Sequence, residues 1–137
     1  MNLIKGIILF FLFSLRPLQG QTTDTVKYIS IDPYYFHLEY LKNDPAMILD
    51  VRMPFEYRGR RLRDALNVPS SKQLNAMADT LSMDYYLFLY CTDGYRSKRA
   101  AEILYDRGFR RLYNLEGGIV AWRKEDMPVI KGRVRRR

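Results

Sequence analysis

Apolar residues fall in short blocks along this chain, some at helical spacing and some in unbroken runs. Tyr35, Phe36, Leu38 and Leu41 recur at helical intervals behind Asp32-Pro33, a side-chain cap followed by proline at the first helical position. That helix is expected to end near Asn43-Asp44-Pro45, ahead of an apolar run at residues 47–51 that reads as a buried strand. Ser70 or Ser71 can cap a helix carrying Leu74, Met77, Ala78 and Leu81. Residues 85–90 are almost continuously apolar, as expected of a strand covered on both faces. Residues 97–106 carry Ala100, Ala101, Ile103 and Leu104 in a helical stretch that Gly108 terminates. Residues 112–115 form a further strand, Gly117-Gly118 a turn, and residues 119–124 a last short helix. Residues 21–30 are polar and read as a leader into the domain. Strands alternating with helices predict an α/β fold on a parallel sheet.

Composition narrows the class. With 137 residues, 47% of them hydrophobic and 14% aromatic, the chain suits one globular domain and not a disordered one. At its start, Lys5, the apolar run 7–13 and a small residue, Gly20, before polar sequence have the layout of a secretory signal. The run is too short for a transmembrane span, and no cysteine follows it to carry a lipid anchor. Residues 1–20 are therefore expected to be removed from an exported protein, periplasmic or secreted. The net charge of +8, from 23 Lys+Arg against 15 Asp+Glu, raises nucleic acid, an acidic surface or an anionic substrate as partners. Its distribution changes that picture. Two of the basic residues lie in the signal and five in residues 131–137, which leaves 16 against 15 acidic residues between Gln21 and Ile130. A nucleic-acid partner would rest on the tail alone and is not expected. The tail reads either as a solvated terminus or as a contact for phosphate or an anionic membrane surface.

The candidate chemistry lies where the strand at 85–90 runs into Cys91-Thr92-Asp93-Gly94-Tyr95-Arg96, with Ser97 opening a helix. Ligands bind at the carboxyl ends of parallel strands. A cysteine placed there faces the N–H groups of a tight loop and the positive end of a helix, both of which favour the thiolate. Gly94 permits the positive φ of a cradle-shaped loop, Arg96 adds a cation at the rim, and Ser97 can cap the helix. Asp93 opposes them, because a carboxylate near the loop disfavours a thiolate and repels anions. Taken alone, these residues fit either a reactive thiol or a buried structural cysteine. One cysteine forms no intramolecular disulfide, and with His37 as the sole histidine it makes no Cys/His zinc site, so no metal or cofactor is implied.

The loop form Cys-x-x-Gly-x-Arg-Ser, met by Cys91, Gly94, Arg96 and Ser97, resembles the rhodanese-like family. Upstream, Asp50-x-Arg52-x-x-x-Glu56 and Ala65-x-Asn67-x-Pro69 are similar to two further segments of that family. Downstream, Ala100-Ala101, Leu104, Gly108-Phe109, Leu115-x-Gly117-Gly118 and Ala121-Trp122 fall at its spacings, so the domain is placed at 31–130. The resemblance implies a central parallel sheet of about five strands with helices on both faces. It also implies a sulfurtransferase that moves sulfane sulfur from a thiosulfate-like donor to cyanide or an external thiol, such as that of a thioredoxin-like protein. The carrier would be a persulfide on Cys91, stabilised by the loop N–H groups of Thr92, Asp93, Gly94, Tyr95, Arg96 and Ser97. Arg96 would hold the anionic donor, Asp50 and Arg52 would brace the neighbouring loop, and Glu56 is an ion-pair candidate with a structural role. Six residues from Cys91 to Arg96 match the sulfur-transferring members, whereas phosphatases of this fold carry one more. The alternatives are a module that only binds a partner and a phosphatase or arsenate reductase. Arg60-Arg61 and Arg63-Asp64 depart from the family's Gly-His and Pro-Gly. With Arg58 they read either as a basic rim for an anionic donor or as a solvated loop.

Overall fold

The computed structural model describes residues 25–132, so the expected signal and residues 133–137 of the tail lie outside the described residues. The elements run β1 (Ile29–Ile31), α1 (Pro33–Lys42), β2 (Ala46–Asp50), α2 (Pro54–Gly59), β3 (Arg60–Arg61) and β4 (Leu66–Asn67). They continue with α3 (Ser71–Thr80), β5 (Tyr86–Tyr90), α4 (Tyr95–Asp106), β6 (Leu112–Leu115), α5 (Gly118–Lys124) and β7 (Ile130–Lys131). Caps explain several of these boundaries. Asp32 Oδ1 accepts the Tyr35 N–H at 3.0 Å ahead of Pro33, and Ser70 Oγ accepts that of Gln73 at 3.2 Å.

Five strands form one parallel sheet in the order β1-β6-β5-β2-β4, and β3 pairs with β7 in a separate antiparallel ribbon. β5 sits at the centre, where it is covered on both sides. Leu87, Leu89 and Cys91 point into a cluster with Leu74 and Ala78 of α3 and Ala100, Ala101 and Leu104 of α4. Phe88 and Tyr90 point the other way, against Phe36 of α1 and Ile119 and Trp122 of α5. Two buried faces explain why this strand is apolar without alternation. The chain leaves the carboxyl end of β2 toward β4 at one edge and that of β5 toward β6 on the opposite side. The top of the β2–β5 pair is therefore a topological switch point, where loops diverge and open a crevice.

Several expectations need correction. Ile29 and Ser30 belong to β1 rather than to a leader; a three-residue edge strand with Ile29 exposed shows no readable period. The helix after the loop opens at Tyr95 with Gly94 as its cap, one turn before its apolar residues begin, so Ser97 lies within it and caps nothing. Lys131 pairs with Arg60 in the β3–β7 ribbon instead of starting a free tail. Arg61 is buried, its Nη1 donating to the Gly132 carbonyl at 2.7 Å, and so belongs neither to a basic rim nor to a solvated loop. On α1 only Phe36 of the four apolar residues reaches the core, since Tyr35, Leu38 and Leu41 face outward. His37 lies on the exposed side of that helix, edge-on to Trp122. Among the described residues, no helix is long and apolar enough to cross a membrane.

Candidate active site

Cys91 continues β5 past its last paired residue, so alternation turns its side chain toward α4. Gly94 then adopts φ +98°, in the left-handed region where a side chain is strained, and aims its N–H at Cys91 Sγ from 3.1 Å. Ser97 Oγ, wholly buried in the first turn of α4, lies 3.4 Å from Sγ and donates to the Gly94 carbonyl at 3.1 Å. The loop is a shallow cradle in which Gly94 and Ser97 both reach the sulfur.

Asp93 has two roles here. Its Oδ1 accepts the Tyr95 N–H at 3.0 Å, which holds the carboxyl below its usual range, and accepts from the Cys91 thiol at 3.7 Å. The Tyr95 N–H is thus engaged and does not face the sulfur. The expected opposition of Asp93 to negative charge on Sγ stands beside an unexpected contribution, because the same carboxylate ties the turn together.

The outer side of the loop is gripped by α5. The Ile119 and Val120 N–H groups donate to the Cys91 and Thr92 carbonyls at 2.9 and 3.2 Å. Those contacts need Gly118, since a Cβ there would stand 2.4 Å from the Thr92 oxygen and 2.5 Å from that of Cys91. Gly117-Gly118 therefore does more than turn the chain.

Arg96 extends from the first turn of α4 to α2. Its Nη1 and Nη2 donate to the two Glu56 oxygens at 3.0 and 3.1 Å, and Nη2 also reaches Thr92 Oγ1 at 3.0 Å. Thr92 closes the triangle with a 3.0 Å bond to Glu56. The guanidinium hydrogen bonds hold the Glu56 carboxyl at about 2, against an ordinary 4.5. Arg96 is engaged by a carboxylate instead of waiting for an anion.

Beneath this rim, Asp50 and Arg52 form a buried, multiply bonded pair with Nη2–Oδ2 at 2.6 Å. The Tyr90 hydroxyl donates to Asp50 and accepts the Leu62 N–H, and burial pushes that phenol up. Arg52 Nη2 also donates to the Arg60 carbonyl at 2.6 Å, while Asn67 Nδ2 bonds the carbonyls of Asp50 and Arg52. Asp50 and Arg52 thus hydrogen-bond within and across the loop after β2. Tyr90 and Asn67 join them, although only the apolar run and the family spacing had drawn attention to these two.

Cys91 itself is 0% exposed. It lines neither of two nearby clefts. One of 170 Å³ lies between α3 and α4, with Val51, Val68 and Ala100 in common with the cluster that holds Cys91. The other, of 340 Å³, reaches Thr92 from the α2 and α5 side.

The rhodanese-like domain family model matches residues 37–125. The chain belongs to that family. This rhodanese-like domain is 34% identical over 100 residues to a tRNA uridine(34) hydroxylase of Hamiltonella defensa, but it spans only 28% of that protein's length. It is 31% identical over 87 residues to a sulfurtransferase of Allochromatium vinosum, a match covering 64% of this chain and 80% of the relative. The crystal structure of a rhodanese-related protein from Thermoplasma volcanium superposes with a TM-score of 0.60 at 30% identity, covering 75% of this chain and 98% of that one. The α/β architecture and the five-stranded parallel sheet expected from the sequence are shared with such neighbours.

Proposed function

We propose that this rhodanese-like domain is a sulfurtransferase of the thiosulfate type, with Cys91 as nucleophile and sulfur carrier. One observation carries the reading: at the carboxyl end of β5, a left-handed glycine points its N–H at Cys91 Sγ from 3.1 Å. In the first half-reaction, the Cys91 thiolate attacks the outer sulfur of a donor such as thiosulfate. The donor's S–S bond breaks, sulfite leaves with the bonding pair, and a Cys91 persulfide anion remains. In the second, an acceptor thiolate or cyanide attacks the terminal sulfur and releases the Cys91 thiolate. The Gly94 N–H is placed to stabilise the developing negative charge, as an oxyanion hole does. No second cysteine exists to resolve the persulfide within the chain, so the acceptor is external, as a thioredoxin-like protein would be.

The Allochromatium relative named a sulfurtransferase supports this reading. A module that only binds a partner is favoured by one observation, the full burial of Cys91. Mass spectrometry after incubation with thiosulfate separates the two. Wild type is expected to gain one sulfur atom and Cys91→Ser none; no adduct with any of several donors would leave the binding module. The site of action follows from residues 1–20 read as a signal: the mature protein isolated from its native cells should begin at Gln21 and fractionate outside the cytoplasm. An intact Met1 on the isolated protein would overturn export.

A further inference from the structure

Three cations on one face lack partners. Among the described residues, the side chains of Arg60, Arg123 and Lys131 make no ion pair and no hydrogen bond. Their grouping is not accidental to the fold, because pairing of β3 with β7 sets Arg60 opposite Lys131. Arg60 and Arg123 line the 340 Å³ cleft that ends at Thr92, and the same two residues line a second cleft of 370 Å³ that ends at Lys131. The two clefts meet at these shared side chains and together make a groove that reaches from Thr92 to Lys131. Two carboxylates border it: Glu56, which is held by Arg96, and Asp126. At the end nearest Cys91 the walls include Phe55, 68% exposed, and Val120, 53% exposed. The β7 end lies beyond residues 37–125, which the family model matches.

We propose that this groove docks an acidic polypeptide segment of the protein that takes sulfur from Cys91. Its carboxylates would meet Arg60, Arg123 and Lys131, and an apolar residue beside its cysteine would lie against Phe55 and Val120. The proposal rests on the sulfurtransferase reading. In the transfer, the acceptor thiolate attacks the terminal sulfur of the persulfide, the Cys91 S–S bond breaks, and the acceptor leaves as a persulfide. Three cations with two bordering carboxylates suit a short acidic peptide better than a nucleic acid, whose run of phosphates needs a broader basic surface.

The test uses the full chain, first loaded with thiosulfate and checked for the added sulfur. Discharge is then followed with two synthetic cysteine peptides, one flanked by Asp, Glu and Leu and the other by Lys and Leu. The acidic peptide is expected to discharge the persulfide about tenfold faster at low salt, with the advantage shrinking as ionic strength rises. The double variant Arg123→Glu/Lys131→Glu should abolish that advantage while loading from thiosulfate stays within about twofold of wild type. Equal rates for the two peptides, or an advantage that survives the double variant, would overturn the proposal. So would an RNA oligonucleotide that binds the wild type but not the double variant while the peptides remain indistinguishable. Failure to load at the first step would sink the sulfurtransferase reading instead.

Discussion

At Gly118 a single added carbon decides whether the cysteine loop can keep its shape. A Cβ there would meet the backbone oxygens of Thr92 and Cys91 at 2.4 and 2.5 Å, and the residue sits at φ +61°. Backbone oxygens cannot swing aside as a flexible side chain can, so Gly118→Ala must push α5 and the loop apart. It should cost about 1–3 kcal/mol by urea unfolding and slow persulfide formation in the same preparation. Gly59→Ala is the control, because its Cβ meets nothing within 4 Å; its unfolding midpoint should stay or rise slightly. Equal midpoints for the two variants would mean that the loop is not clamped in this way. The buried Asp50–Arg52 pair makes a second demand at this scale. Asp50→Asn leaves the Arg52 cation buried without its partner, an uncompensated charge worth about 3–5 kcal/mol. Tyr90→Phe removes one donor to Asp50 and the acceptor of the Leu62 N–H, for about 1–3 kcal/mol. Urea titration of both should rank Asp50→Asn below Tyr90→Phe, and the reverse order would place the main stabilisation on the phenol.

Between elements, the link from α2 to α4 is the Glu56–Arg96 pair with Thr92 beneath it. The Glu56 carboxyl is held at about 2 in the fold, against 4.5 ordinarily. A lowered value means that its contribution is complete above the ordinary value and is lost as pH falls toward the lowered one. Arg96 is half exposed, so water and salt screen the pair and about 0.5–1 kcal/mol is the expected size. Glu56→Gln should therefore be less stable than wild type at pH 6, with the gap closing on acidification from about pH 4.5. Urea midpoints at a series of pH values would show this, and a gap constant down to pH 2.5 would assign the loss to packing. The elements that carry this link were not equally legible. β5 and α4 were readable because their apolar residues and the loop between them are contiguous in sequence. α2 was not, since its six residues bury nothing and are held by side chains from elsewhere. β1, β3 and β4 span only two or three residues, too few for any period to show. The positions of Cys91, Gly94, Arg96 and Ser97 could be read from one short stretch. Glu56 was legible as an ion-pair candidate, but its choice of Arg96, like the grip of Gly118 on that stretch, depends on distant segments returning to the switch point.

Across the whole molecule, the charge that dominates the composition resolves into places. Basic residues between Gln21 and Ile130 outnumber acidic ones by a single charge, yet Arg60 and Arg123, joined by Lys131, stand in one groove without an ion-pair partner among the described residues. The carboxyl-terminal run is divided in the same way. Lys131 and Gly132 are structural: the first pairs with Arg60, and the second gives its carbonyl to the buried Arg61 at 2.7 Å. Two truncations tell these parts apart. Deleting residues 133–137 should leave the unfolding midpoint unchanged, since no described contact is removed. Deleting residues 131–137 takes away the strand partner and leaves Arg61 with the distant Tyr57 carbonyl at 3.5 Å and the face of the Tyr57 ring. A buried donor losing its acceptor costs about 1–3 kcal/mol, which lowers the melting temperature of a domain this size by several degrees. Loading of Cys91 from thiosulfate should match wild type in both truncations at a temperature where each is folded, because neither deletion touches the loop. Identical melting curves for the two would show that β7 contributes nothing and that the run is a free tail from Lys131 onward.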